Sequence, residues 1–175
     1  MTQKRTDFVQ KPFAASKEWK GVLEIADALT SHMAKPEIRK QIDLANAPGR
    51  SSSEVQGVIL GQATELGFKS EAKGLFNNYT NSSLRPDYYL AIDKTGIILE
   101  VERGKTTQNN MDFLDFWKCH ICESAHYLFL LVPDELRQNE EKRPTRPYNH
   151  VVTHMEAFFK PANYTNVRGL VLFGY

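Results

Sequence analysis

Residues 85–105 read RPDYYLAIDKTGIILEVERGK. Two runs rich in β-branched and aromatic residues, 88–92 and 97–102, flank the turn-forming tetrad Asp93, Lys94, Thr95, Gly96, and together they predict a β-hairpin. The second run opens with Ile97, Ile98 and Leu99, as a buried strand does, yet it ends Glu100, Val101, Glu102. Side chains two apart on a strand share a face, so the two glutamates lie side by side about 7 Å apart by strand rise. With the tetrad as the turn, Asp87 comes back opposite the end of the second strand, near Glu102. Three carboxylates gathered at the edge of a core are unfavourable without a cation to neutralise them.

The pattern around the hairpin sets its context. Residues 16–45 carry helical spacing through Trp19, Val22, Leu23, Ile25, Ala26 and Leu29, with a second helix starting near Pro36. Ser51 followed by Glu54 is a capping box, and the helix it opens places Val55, Val58, Ile59, Gln62 and Leu66 on one side and stops at Gly67. Gly57 and Gly61 inside that helix each cost about 1 kcal/mol relative to alanine, which predicts close packing against a sheet or another helix. A short strand is possible near residues 68–70. Residues 106–124 predict a helix with Met111, Leu114, Trp117, Lys118 and Ile121 along one flank. Residues 127–132 form the continuous apolar run of a strand covered on both faces. A polar, proline-broken loop at 135–148, a helix at 150–159 and a strand at 169–173 complete the order.

Length and composition bound the rest. At 175 residues, 41% hydrophobic and 25% charged, the chain suits a single α/β domain. Its divisions are a helical extension at 1–50, a core at 51–133 and a closing loop, helix and strand at 134–175. No run approaches the about eighteen apolar residues of a membrane span, and the first residues lack the apolar stretch of a secretory signal, so a cytoplasmic location is expected. Cys119 and Cys122 lie in a helical pattern and read as packing residues. Cys119, His120 and Cys122 diverge around a helix and have no second ligand pair, so they give no zinc site. His150 and His154 lack the glutamate of a zinc-protease motif, and Gly104-Lys105-Thr106 lacks the upstream glycine of a P-loop, so no nucleotide cofactor is expected. The formal charge of +1 argues against a dedicated nucleic-acid coat protein and allows a local basic face.

Oxygen-only ligands suit Mg²⁺, which keeps several waters and takes one or two protein carboxylates beside a phosphate. Metal-assisted hydrolysis of a phosphodiester is the chemistry that follows. Pro86-Asp87 followed by Glu100-Val101-Glu102, after a helix with Glu54 near its start and Gly67-Phe68 at its end, resembles the PD-(D/E)XK nuclease superfamily, the restriction-endonuclease-like fold. The resemblance covers residues 51–133 and implies an α-β-β-β-α-β core, a small mixed sheet flanked by helices. It implies that Asp87 and Glu100 hold Mg²⁺ or Mn²⁺ and that Glu54, or Glu65 on the same helix, supports the site. The motif lysine is replaced by Glu102. In some members the lysine has moved to a neighbouring element, for which Lys105 and Lys118 are the candidates here.

Arg85, Arg103, Lys105, Thr106, Gln108, Asn109 and Asn110 adjoin this strand and are the candidate DNA contacts, through phosphates or base edges. The expected activity is a metal-dependent DNA endonuclease, and cutting both strands calls for a homodimer or sequential nicking. A DNA-binding protein without catalysis on the same fold, and a protein-interaction module using the N-terminal helices, are the alternatives.

Overall fold

The computed structural model describes residues 3–70, 75–76, 78–79, 84–104, 110–139 and 141–175. The hairpin is present, with a tighter turn than the tetrad predicts. Strands β3 (Tyr88–Ile92) and β4 (Thr95–Val101) pair antiparallel with Ile92 opposite Thr95. Only Asp93 and Lys94 make the bend, and Asp93 takes a φ of 45°, a left-handed conformation that aspartate tolerates better than most residues. Gly96 belongs to β4 instead. A Cβ there would lie 2.4 Å from the Tyr89 ring and 2.8 Å from the Leu90 carbonyl, so the close cross-strand packing requires glycine.

From this hairpin the sheet extends in both directions. β5 (Tyr127–Val132) runs parallel to β4, β6 (Gly169–Gly174) runs parallel to β5, β1 (Lys4–Val9) closes one edge antiparallel to β6, and the short β2 (Lys69–Ser70) closes the other against β3. The two parallel steps are bridged by α4 (Met111–Ile121) and α5 (Pro147–Glu156). The succession α3 (Ser52–Glu65), β2, β3, β4, α4, β5 has the order of a restriction-endonuclease-like core, within an α/β architecture of one mixed sheet flanked by helices.

Strand alternation divides the core into two layers. Ile97, Leu99, Val101, Phe129, Leu131 and Phe173 face α1 (Lys17–Met33), α2 (Pro36–Ala45) and α3, whose Trp19, Val22, Leu29, Met33, Val55 and Ile59 are buried against them. Ile98, Leu128, Leu130, Leu170 and Leu172 face the opposite layer with Phe116, Cys119, Val151 and Met155. Burying such side chains contributes about 1.5–3 kcal/mol each. Glu100 and Glu102 share parity with Ile98, so Glu100 points into the α4 layer.

Four sequence expectations change here. Residues 4–9 form an edge strand that charged Lys4, Arg5 and Asp7 hide from a search for apolar runs. Among the described residues nothing lies within 4 Å of a Cβ built at Gly57 or Gly61, so no described residue supplies the predicted close packing. α4 starts at Met111 and is turned so that Asp112, Asp115, Phe116, Lys118 and Cys119 are buried, while Leu114 and Trp117 are exposed. The polar segment after β5 carries one isolated bridge, Leu136 to Thr145, and α5 begins at Pro147. Among the described residues no helix is long and apolar enough to cross a membrane.

Candidate active site

The shorter turn shifts the hairpin register by two. Tyr88 pairs with Leu99, which sets Asp87 beside Glu100 and Val101 instead of Glu102. The backbone N–H of Val101 donates to Asp87 Oδ2 at 2.8 Å, and the N–H of Asp87 donates to Glu100 Oε2 at 3.2 Å. The Asp87 carboxylate thus continues the ladder just beyond the first residue of β3, and the two acids are fastened across the hairpin by backbone donors.

Lys118 reaches the same point from α4. Its Nζ lies 2.6 Å from Glu100 Oε1 and 2.9 Å from Asp115 Oδ1. Asp115, three residues before Lys118 on the helix, is a site residue that the sequence reading missed. Its signal was present in the spacing, since 112, 115 and 118 recur at helical intervals on the stripe that also carries Phe116 and Cys119.

Four carboxyl groups, Asp87, Glu100, Glu102 and Asp115, therefore act on one another around a single buried ammonium. Burial, followed by the charge of Asp115, holds the Glu100 carboxyl well above the usual carboxylate range. Burial also leads the causes that raise Glu102 to about 8, with Asp115 next through charge and a hydrogen bond. Asp115 is raised mainly by burial, with Lys118 opposing. For Lys118 burial favours the neutral form, but Glu100 and Asp115 outweigh it and hold the ammonium charged. Both carboxylate oxygens of Asp115 are buried. Among the described residues these carboxyls share the Lys118 ammonium, and their donors are all hard oxygens of the kind Mg²⁺ accepts. Among the described residues, no three His, Cys, Asp or Glu side chains converge in a metal-holding arrangement.

The other predicted residues fall in distinct places. Glu54 closes its capping box by accepting the Ser51 N–H at 3.2 Å and pairs with Arg50 at 3.0 Å, so its described contacts lie at the start of α3. A cavity of about 380 Å³ between that helix start and the strand end is lined by Arg50, Ser51, Ser52, Glu102, Arg103, Gly104 and Met111. Arg103 turns inward: its guanidinium donates to the carbonyls of Asn46 at 3.0 Å, Ala47 at 2.5 Å and Arg50, bracing the connection between α2 and α3. Arg85 is exposed beside Asp87, and Asn110, exposed at φ 55°, precedes α4. Lys105, Thr106, Gln108 and Asn109 lie outside the described residues. His154, read as an ordinary helix residue, meets the buried Asp112 at 2.6 Å.

No family model matches the chain, and no curated protein matches it. Among solved structures it is similar to restriction endonuclease BglII complexed with a DNA 16-mer, with a TM-score of 0.48 and 9% identity over 99% of this chain and 78% of that one.

Proposed function

We propose that this protein is a Mg²⁺- or Mn²⁺-dependent DNA endonuclease that hydrolyses phosphodiester bonds at the acid–lysine cluster. The observation that carries this reading is the meeting of Asp87, Glu100 and Lys118 at the C-terminal end of one buried strand, the end where open α/β sheets place their ligands. Asp87 and Glu100 would hold the metal, as the resemblance implies. When bound, Mg²⁺ supplies charge neutralisation and Lewis acidity at a phosphodiester. Lys118 takes the part of the displaced motif lysine: as a charged ammonium it positions Glu100 and offsets negative charge at the scissile phosphate, and it has no free lone pair with which to accept a proton. Glu102, raised to about 8, is the group on this strand able to exchange a proton near neutral pH. Glu54, at the start of α3, would support the site through the metal or its waters, as the resemblance implies.

DNA is the partner, approached through Arg85 and Asn110, with Lys105, Thr106, Gln108 and Asn109 as the further contacts that the sequence suggests. A double-strand cut requires a homodimer or two nicks, and no nucleotide cofactor or membrane takes part in this cytoplasmic reaction. Binding without cleavage is the second reading, favoured by Glu102 at the position the motif gives to lysine. The test incubates supercoiled and linear DNA with wild type and Asp87→Ala in Mg²⁺, Mn²⁺ or EDTA. Metal-dependent strand cleavage by wild type, lost in Asp87→Ala, is expected. Bound but uncut DNA in both metals would replace this reading with the second.

A further inference from the structure

The helix that brings Asp115 and Lys118 inward carries a different surface on its other side. Phe113, Trp117 and His120 recur at helical spacing opposite 112, 115 and 118, and with Phe116, Phe158 and Tyr164 they line a cavity of about 330 Å³. Trp117 is 47% exposed and Tyr164 96% exposed. The wall is aromatic throughout, with Thr165 at its rim. Beneath it the rings are already ordered: Phe116 stacks on Phe158 at 4.1 Å and Phe113 on His154 at 4.8 Å. A second cavity of about 250 Å³ adjoins, sharing His120, Tyr164 and Thr165 and adding the amides of Gln10, Asn163 and Asn166.

The polar edge is fixed as well. The backbone N–H of Asn166 donates to His120 Nδ1 at 3.1 Å, and the Thr165 hydroxyl lies 3.0 Å from the same nitrogen. A backbone amide can only donate, so Nδ1 accepts and the ring proton sits on Nε2. His120 therefore presents an oriented N–H donor where the two cavities meet. The segment that carries Tyr164 is clamped by Gln10, which donates to the carbonyls of Thr165 and Val167 at 2.8 and 2.6 Å. Ala162 holds a φ of 75° in its bend, a conformation alanine keeps only where the surroundings impose it.

The amide nitrogens of Gln10, Asn163 and Asn166 are engaged by backbone carbonyls, which leaves their oxygens as acceptors; flat aromatic walls, a fixed donor and amide acceptors match a planar ring with hydrogen-bonding atoms along its edge. We infer that this pocket on the outer face of α4 binds an unpaired nucleobase of the DNA strand. Base-on-aromatic stacking with edge hydrogen bonds is the general chemistry of single-strand recognition. A protein surface would need roughly 800 Å² on each side, and the exposed apolar residues here are few. The inference rests on the nuclease reading for its ligand. α4 is about 10–12 Å across with side chains, which separates the pocket from the acid–lysine cluster on its other face by about that width.

The test compares three otherwise identical DNA duplexes: fully paired, with one extrahelical base, and with an abasic residue at that position. Affinities are read in EDTA and again in Ca²⁺ by quenching of tryptophan fluorescence. Of the two tryptophans Trp19 is buried, so base-dependent quenching reports Trp117. The extrahelical base should bind roughly 5- to 100-fold tighter than the abasic duplex. Trp117→Ala should remove that preference and Trp117→Phe keep most of it. Equal binding of all three duplexes, or of none, overturns the pocket, as does a concentration-dependent dimer that Trp117→Ala dissociates. Mg²⁺-dependent cleavage is measured beside it: cleavage without base preference removes the pocket and leaves the nuclease, whereas Trp117-dependent preference without cleavage retains the pocket and removes the nuclease.

Discussion

Lys118 Nζ lies 2.6 Å from Glu100 Oε1, and this contact joins the helix layer to the carboxylate end of the central hairpin. Both side chains are almost fully buried, and Asp115 shares the same ammonium. Removing one partner of a buried pair leaves the other charge without compensation. Lys118→Met is expected to cost about 3–5 kcal/mol in urea unfolding. Adding Glu100→Gln and Asp115→Asn should recover most of that loss, because the neutral trio no longer buries unpaired charge. A single variant as stable as wild type would show that the ammonium does not hold the cluster together.

The carboxyl cluster also sets a pH dependence. Glu102 titrates near 8 in the folded protein against an ordinary 4.5, so between those values the folded chain keeps a proton that the unfolded chain has released. Stability from this group is full below about 4.5 and is lost as pH rises through 8. Glu100 and Asp115, raised as well, act in the same direction, and Lys118 stays charged throughout the window. Thermal melting in EDTA from pH 5 to 9 should show a falling midpoint, with a shallower fall in Glu102→Gln. A midpoint flat across this range would contradict the burial of these acids.

Much of this site was legible because a strand carries its own ruler. Ile98, Glu100 and Glu102 had to share a face, and the hairpin had to bring Asp87 across. The register was not legible, since Asp93-Lys94-Thr95-Gly96 supports a two-residue bend as well as a four-residue one, and only the packing of Tyr89 over Gly96 distinguishes them. β1 escaped notice because an edge strand buries too little to leave an apolar signature, and Lys4, Arg5 and Asp7 answer to ion pairs instead. The orientation of α4 was obscured by Leu114 and Trp117, which read as core by type. The charged stripe of Asp112, Asp115 and Lys118 is the buried one, because Glu100 and His154 give those charges partners.

Metal binding predicts a thermal signature independent of catalysis. A ligand held only by the folded state stabilises by about 2.7 kcal/mol at a hundredfold excess over its Kd, and for a chain of this size each kcal/mol moves the midpoint by about 2–4 °C. Mg²⁺ or Mn²⁺ should therefore raise the melting midpoint of wild type by several degrees, and more at pH 8 than at pH 5, because protons compete for the same carboxylates. Asp87→Ala should abolish the shift. An unchanged midpoint in wild type at millimolar metal would remove Mg²⁺ from the site.

Arg103 separates a fold role from a DNA role. Its guanidinium donates to three backbone carbonyls of the connection between α2 and α3, and hydrogen bonds from charged groups contribute about 1.5–3 kcal/mol each. Arg103→Ala is expected to destabilise the protein by about 3 kcal/mol or more, and Arg103→Lys to recover little, since one ammonium cannot reproduce the planar fork. DNA affinity, corrected for the folded fraction at low temperature, should stay within about twofold of wild type. Arg85→Ala supplies the contrast: exposed beside Asp87, it should leave the melting midpoint unchanged and weaken DNA binding, with a salt dependence shallower by about one phosphate contact. Loss of DNA affinity in Arg103→Ala without loss of stability would place this arginine on the DNA instead of on that connection.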